Sequence, residues 1–370
     1  MIEKKALTAV CVSVLCGILI AGLWPFFPPE NEVRWLGHEN GLRFGEYGMI
    51  LSSGLLNIPD AGGETACGVE IWLQPGLSFD PDANTILDVY TPQNPFQFRM
   101  KQSGDDLVVL RDYLDHQNRI RTSRLYVDHV FRQDRKVLIT VAASAQGTYI
   151  YLNGQEAKSS SQLRFTSEAL HGQLIVGAAP VANDRWSGKL LGLAIYSRQL
   201  NADQVLQDYR GWTENGRPHP APENRISALY IFAEKAGSIV HNQVASAPDL
   251  YIPGRYRTVG KVFLMLPWKE FSPDWGYWKY VIINIAGFLP LGFCFCAYLS
   301  RVRRRNRAAF ETILIGGAIS LAIEVLQFYI PTRQSGMTDI ITNTLGTCFG
   351  TMLYQYKPVQ VLIARFNLAS

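Results

Sequence analysis

The sequence predicts a membrane protein of two architectures: an all-β jelly-roll sandwich and an α-helical transmembrane bundle of about four helices. Three observations predict it. Long, predominantly apolar stretches occur at Ala6–Leu23, Tyr280–Leu299 and Thr312–Ile330, each of a length that suits a bilayer. Between the first and the second, short apolar or alternating runs are broken by Gly, Pro, Asn and Asp. The basic clusters fall where one membrane orientation puts them all on the same side.

The first stretch follows Lys4 and Lys5 and runs on without a charge. A cleaved signal peptide is the rival reading, but no small-residue cleavage site follows. Trp24, Phe26, Phe27 and several prolines come instead, as in an interfacial anchor. A lipoprotein site at Cys16 fits poorly, because the apolar run continues past it. The second stretch opens among Trp275, Tyr277, Trp278 and Tyr280 and stops at five arginines within Arg301–Arg307. The third contains Glu324 and ends at Pro331. A fourth, weaker stretch covers Thr338–Tyr354 and is read as a short span, with a re-entrant segment as the alternative.

Lys4 and Lys5, the arginine loop, and Lys357 with Arg365 then all lie in the cytoplasm. The expected location is the inner (cytoplasmic) membrane of a bacterium, multi-pass, with both termini cytoplasmic and the polar middle periplasmic or extracellular. The expected domains are 1–27 (cytoplasmic stub and first helix), 28–257 (outer sandwich with return strands), 258–356 (the remaining helices, about 280–299, 312–330 and 338–354) and 357–370 (cytoplasmic tail). The tail Val359–Leu368 is either an interfacial segment or a frayed end. The arginine cluster reads as a topology determinant that also meets anionic lipid, and no nucleic-acid partner is expected.

Apolar residues make up 48% of the chain and charged residues 18%, which is ample for a core. Five of the six cysteines lie in apolar stretches, and Cys67 stands alone in the polar middle, so no disulfide framework and no zinc set is expected. In that middle the predicted strands include Cys67–Leu73, Thr85–Tyr90, Phe96–Lys101, Leu107–Arg111, Val137–Ala142 and Thr148–Leu152. Asn153-Gly154 predicts a tight hairpin turn, since both residues tolerate positive φ. Asn201 and Gln204 predict a reciprocally capped helix over Asn201–Tyr209.

GVEIWLQP (Gly68–Pro75), HVFRQDRKVLITVAASAQGTYIYLNGQ (His129–Gln155), GQLIVGA (Gly172–Ala178) and WSGKLLGLAIYSRQLNADQV (Trp186–Val205) together resemble the LamG-type, concanavalin A-like jelly roll. ALYIFAEKAGSIVHNQ (Ala228–Gln243) resembles the strand that usually opens such domains, and is expected to pair back onto the sandwich. The resemblance implies binding of a glycan or a protein, often with calcium. No calcium set is recognisable, and Asp80, Asp82 and Asp88 read as solvated loop carboxylates. Trp72 reads as a packing residue, and paired carboxylates of the kind a glucanase needs are not evident.

The apolar stretches carry unusual polar residues. Ser320, Glu324 and Gln327 share one helix face, and so do Asp339, Asn343, Gly346 and Gly350. Asn284 sits early in the second helix, and Gly346 and Gly350 form a pair that permits close helix approach. A carboxylate in hydrocarbon costs several kcal/mol or more unless it is neutral or paired, so these residues are expected to face the bundle interior.

NIAGFLPLGF (Asn284–Phe293), SLAIEVLQFYIPTR (Ser320–Arg333) and DIITNTLGTCFG (Asp339–Gly350) resemble, in order, the three motif blocks of the VanZ-like family. That resemblance implies a link to glycopeptide resistance, to teicoplanin in particular.

The expected ligand-binding residues are Asn284, Glu324, Gln327, Arg333, Asp339 and Asn343, forming a polar pocket near the outer leaflet for a lipid or lipid-linked glycan. Arg333 is expected to pair with Asp339 or with an anionic head group. The first alternative is an intramembrane enzyme acting on a lipid-linked glycan or phosphate, with Glu324 and Asp339 as catalytic candidates. The second is a scaffold for polysaccharide export or envelope assembly, in which the polar residues only hold the helices together. Partners are then membrane lipids, a lipid-linked glycan or surface polysaccharide, or an envelope protein. No cofactor is expected.

Overall fold

The computed structural model describes residues 4–58, 65–76, 84–94, 97–114, 120–132, 134–180, 184–220, 225–244 and 247–361. Asp80, Asp82, Phe96 and Arg365 lie outside the described residues, as does the tail past 361. The chain divides into two compact units, Pro29–Gly260 and Met1–Pro28 with Lys261–Ser370.

The first unit is built from two antiparallel sheets. Sheet one holds, from its edge, β1 (Val33–Trp35), β2 (Leu42–Phe44), β13 (Gly188–Tyr196), β4 (Cys67–Pro75), β9 (Val137–Ser144), β10 (Gly147–Leu152) and β11 (Gln155–Ser160). The strand β14 (Ile226–Tyr230) also pairs with β13, beyond the stretch that β2 occupies. Sheet two runs β15 (Ile239–Val240), β16 (Leu250–Tyr251), β3 (Ile50–Ser52), β12 (Gln173–Val176), β5 (Asn84–Tyr90), β6 (Phe98–Ser103), β7 (Asp106–Leu114) and β8 (Ile120–Val127). The segment Ala228–Gln243 thus returns to both sheets, through β14 and β15.

Alternation puts Val69, Ile71 and Leu73 of β4 and Leu87 and Val89 of β5 into one core between the sheets, with Phe98, Phe165 and Trp186. Each such side chain contributes roughly 1.5–3 kcal/mol on burial. Asn153 (φ 51°) and Gly154 (φ 84°) make the turn between β10 and β11, as positive φ at both positions requires. The helix α2 (Ala202–Asn215) begins in a complete capping box between Asn201 and Gln204 and ends at Gly216 in the left-handed region.

The outer face of sheet one is covered by α2, where Trp212, Val205 and Leu200 pack with Tyr196 and Ala194, and Trp72 lies half-buried among them. Glu70 is fully buried at this seam. It accepts from Thr140 Oγ1 (3.1 Å), Tyr196 Oη (2.7 Å) and Trp212 Nε1 (2.9 Å). Tyr196 Oη also meets Asp208 Oδ2 at 3.2 Å. One phenolic proton cannot serve two carboxylates, so the second contact requires a protonated carboxyl. Burial, then the nearby Asp208 charge, raises the Glu70 carboxyl above the usual carboxylate range, and burial raises Asp208 as well.

Asp88 corrects the loop reading made for it. It lies inside β5, fully buried, and accepts from Arg99 Nε on the neighbouring strand. Its cross-strand neighbour Ile175 packs with Tyr256 and Met49, so this face of sheet two is roofed by the chain's return and is not open to water. Burial pushes Asp88 up to about 8, against the lowering effect of Arg99.

The second unit contains α1 (Lys4–Leu23), the single turn α3 (Pro267–Glu270), α4 (Trp275–Leu299), α5 (Arg305–Phe328) and α6 (Met337–Gln355). Three of these helices are long and apolar enough to cross a membrane: Lys5–Leu23, Trp275–Leu299 and Arg305–Phe328. The fourth, α6, has 19 residues and carries Asp339, Asn343 and several threonines. Two helices begin earlier than their apolar stretches. Asp274 caps α4 through the Tyr277 N–H (2.8 Å), which draws the aromatic residues into the helix. In α5 Arg305 and Arg307 belong to the first turn, where Arg307 meets Glu311 one turn on at 2.9 Å.

Because the Glu70 carboxyl keeps its proton to higher pH in the fold than in the unfolded chain, the native state binds more protons between those two values. Stability of the sandwich is therefore expected to fall as pH rises from about 4.5 towards about 8. Asp88 contributes with the same sign. Glu70→Gln, which keeps an acceptor for Tyr196 and Trp212, is expected to flatten that slope. Thermal unfolding of both proteins at pH 5, 6, 7 and 8 checks it, and equal slopes would contradict the assignment.

Candidate functional site

The polar residues of the helical unit collect around the connection from α5 to α6. Asn343 Nδ2 donates to Ser320 Oγ (2.9 Å), which joins the two helices at mid-length. Asn284 Nδ2 donates to Asp339 Oδ1 (2.7 Å) and approaches Thr342 Oγ1 (3.4 Å), which joins α4 to α6. Glu324, only 1% exposed, accepts the backbone N–H of Gly336 at 2.8 Å. That N–H stands at the N-terminal end of α6, where the helix dipole favours negative charge. Gln327 reaches the other way, donating to the Gly22 carbonyl at the end of α1 (2.7 Å).

Arg333 does not form the expected pair with Asp339: no ion pair joins them among the described residues. Its Nη2 donates to the carbonyls of Ala21 (3.3 Å) and Gly22 (3.0 Å). The reason is geometric. The last carbonyls of α1 have no partner within their own helix and carry its negative end, so a guanidinium beside them is drawn there. Asp339 meanwhile is held by Asn284.

Two residues of this cluster escaped the sequence reading. Glu270, at the end of α3, accepts the Thr338 N–H at 3.0 Å, so two carboxylates meet the start of α6. Lys261 Nζ donates to the carbonyls of Gln327 and Ile330, both at 2.6 Å, and so caps the end of α5. Burial pushes Lys261 down to about 8 although Glu324 opposes the shift. Both residues precede the second apolar stretch, in a segment with no periodicity to flag them. Only the Pro267 start of a helical turn ahead of Glu270 is a local signal.

Four buried polar atoms in this region have no hydrogen-bond partner among the described residues: Thr332 Oγ1, Arg333 Nε, Thr338 Oγ1 and Asn343 Oδ1; the Ser335 hydroxyl lies against the Glu324 carboxyl. Two are hydroxyls that both donate and accept, one only donates and one only accepts. Buried polar groups are rarely left so, and a concentration of them between residues 332 and 343 is suited to polar groups from outside the chain. Glu324 and Asp339, the catalytic candidates, serve different partners here, Gly336 and Asn284.

The helices approach closely below the cluster. A Cβ added at Gly346 would stand 2.3 Å from the Ile285 carbonyl oxygen, and one at Gly350 2.1 Å from that of Leu289. The small-residue face of α6 therefore packs on α4 of the same chain. On the sandwich, the ligand atoms of Asp105, Asp106 and His129 lie within 4.8 Å of one another at the surface. His129 is already engaged with Asp105 (2.5 Å), and its backbone N–H with Asp106 (2.9 Å).

Removing the Glu324 acceptor strands a buried N–H. Glu324→Leu is expected to cost about 1–3 kcal/mol, and Glu324→Gln much less, since the amide oxygen still accepts. Gly350→Leu is expected to cost about as much through overpacking. Thermal unfolding of the detergent-solubilised chain checks the order, and a Glu324→Leu protein as stable as the unsubstituted one would refute the cap.

Residues 228–361 match the VanZ/LLP1 family model, and residues 53–206 match the model of the concanavalin A-like lectin/glucanases superfamily. The first match opens inside β14, so it extends past the helical unit into the sandwich. Protein VanZ of Enterococcus faecium is 30% identical over 79 residues, which is 21% of this chain and 46% of that protein. The chain thus spans under half the length of this relative. Among solved structures, a putative carbohydrate binding protein from Bacteroides ovatus is 13% identical, with a TM-score of 0.39 over 58% of this chain and 59% of that one. The SAP-like pentraxin of Limulus polyphemus is 12% identical, with a TM-score of 0.36 over 60% of this chain and 93% of that one. The chain carries a VanZ-like C-terminal region preceded by a concanavalin A-like domain, and its apolar helices fit a membrane protein.

Proposed function

We propose that this VanZ-like, lectin-like chain is a multi-pass protein of the bacterial cytoplasmic membrane that recognises envelope glycans. In this reading the sandwich stands outside the membrane and binds a glycan. The polar cluster of the helical unit holds the head group of a lipid or lipid-linked glycan near the outer leaflet. The distribution of Lys4, Lys5, Arg301–Arg307 and Lys357 supports that orientation. It puts the end of α5 and the start of α6 on the outer side. Glycopeptide resistance, the property the family resemblance implies, belongs to the same reading.

The observation that carries the proposal is the set of unpartnered polar atoms around Thr332–Thr338 and Asn343. The rival, scaffold reading also has an observation in its favour: Glu324, Glu270, Lys261 and Arg333 all meet helix ends. The two readings separate on the groups that cap nothing. Catalysis has less support, since Glu324 and Asp339 serve separate partners.

The test compares the full chain with a Thr332→Val/Thr338→Val double variant, which removes unpartnered hydroxyls and leaves every cap in place. Each is reconstituted in nanodiscs with phospholipid and an undecaprenyl-linked disaccharide, and retained lipid is read by native mass spectrometry. The unsubstituted chain is expected to retain the lipid-linked glycan. The double variant is expected to bind it about tenfold more weakly, the effect of losing one to two hydrogen bonds, at unchanged thermal stability. Equal retention by both, or none by either, would leave the cluster a structural device.

A further inference from the structure

The sandwich has a slot where two sheet edges meet and then part. The strand β1 ends sheet one, and β15 ends sheet two. Ahead of β1, the chain's entry and return segments pair: the Tyr256 N–H donates to the Pro29 carbonyl (3.0 Å), and the Asn31 N–H to that of Gly254 (3.2 Å). At β1 the pairing stops. Gly45 N–H donates to Glu32 O (2.9 Å) and Leu36 N–H to Gly41 O (3.0 Å), so residues 32, 34 and 36 turn their backbone groups towards β2. Val33 and Trp35 turn theirs outward, by the alternation of an antiparallel ladder. No backbone partner faces them among the described residues. The slot closes again where Trp35 Nε1 donates to the Gly237 carbonyl at 2.8 Å.

What remains between these closures is a cavity of about 260 Å³. Its floor is stiff, because Asn31 spends its whole amide on Met49 N–H, Met49 O and Pro253 O (2.9, 2.7 and 2.8 Å). Its wall includes the half-buried Trp35 ring. At its rim stand the exposed side chains of Arg34 and Glu30, neither engaged in an ion pair or hydrogen bond among the described residues.

We propose that this slot is a glycan subsite that takes a single sugar ring. The inference rests on the reading that the sandwich binds a glycan, and gives that reading a place. Three features select the ligand class. Outward N–H and C=O groups side by side match a hydroxyl, which both accepts and donates. A bare anion would meet the carbonyls and Glu30 as well as the donors. An added peptide strand needs a longer open edge than two residues between closed ends. The volume lies just under the lower end of drug-sized pockets, roughly 300 Å³, which suits one ring and not an extended ligand.

The test uses the full chain in nanodiscs and methyl glycosides of glucose, galactose, mannose, N-acetylglucosamine and glucuronic acid as probes, with saturation-transfer NMR as the readout. Gly254→Leu fills the slot, for a Cβ there meets nothing within 4 Å. Arg34→Ala removes the rim cation from an exposed position. At least one glycoside is expected to bind the unsubstituted chain, with binding lost in Gly254→Leu and about tenfold weaker in Arg34→Ala. Binding unchanged in both variants would overturn the slot while sparing the glycan reading. No binding by the unsubstituted chain would overturn both. Should Gly254→Leu fail to fold, Arg34→Ala decides alone.

Discussion

A helix that starts or stops inside a bundle leaves polar backbone groups without partners, and the helical unit is organised around supplying them. The start of α6 is met by Glu324 and Glu270, the end of α5 by Lys261, and the end of α1 by Gln327 and Arg333. Each charge sits at the helix end of opposite sign. Carboxylates and cations that would be costly apart in an apolar bundle are thus distributed over three helix termini, and the connection between α5 and α6 has its shape because of them. The close backbone approach of α6 to α4 at Gly346 and Gly350 then fixes the remaining degree of freedom.

The sandwich meets the same difficulty, a buried charge, in another way. Glu70 lies under α2 with three donors around it and a second carboxyl two bonds away through Tyr196. Among the described residues no cation answers it. A shared proton does, and it ties the helix to the sheet through Trp212, Tyr196 and Asp208. Gly192 makes room for this arrangement, since a Cβ there would lie 2.2 Å from the Trp212 ring.

Much of this was legible in the sequence where the cause is local. The Asn201 and Gln204 box, the Asn153-Gly154 turn and the apolar helices all follow from residues a few positions apart. So did the shared faces of Ser320 with Glu324 and of Asp339 with Asn343. What could not be read were partners set by distant chain. Asp88 looks like a loop acid until the strands bearing Arg99 and Ile175 flank it. Arg333 has an obvious neighbour in Asp339 by sequence, yet the end of α1, some three hundred residues away, takes it. Lys261 and Glu270 sit in an aperiodic stretch where Pro267 is the one local signal, and it says nothing of what they meet.

The pairing of Pro29 with Tyr256, and of Asn31 with Gly254, has a consequence for how such a chain arises. The sandwich begins and ends at one point, as a loop does. A domain with adjoining ends can be spliced into a tight turn of another protein without forcing the flanking elements apart. Here α1 still packs with α4 and α5 although the whole sandwich intervenes in sequence. The lectin-like sandwich is in that sense a cassette, occupying one point in the sequence of the helical unit.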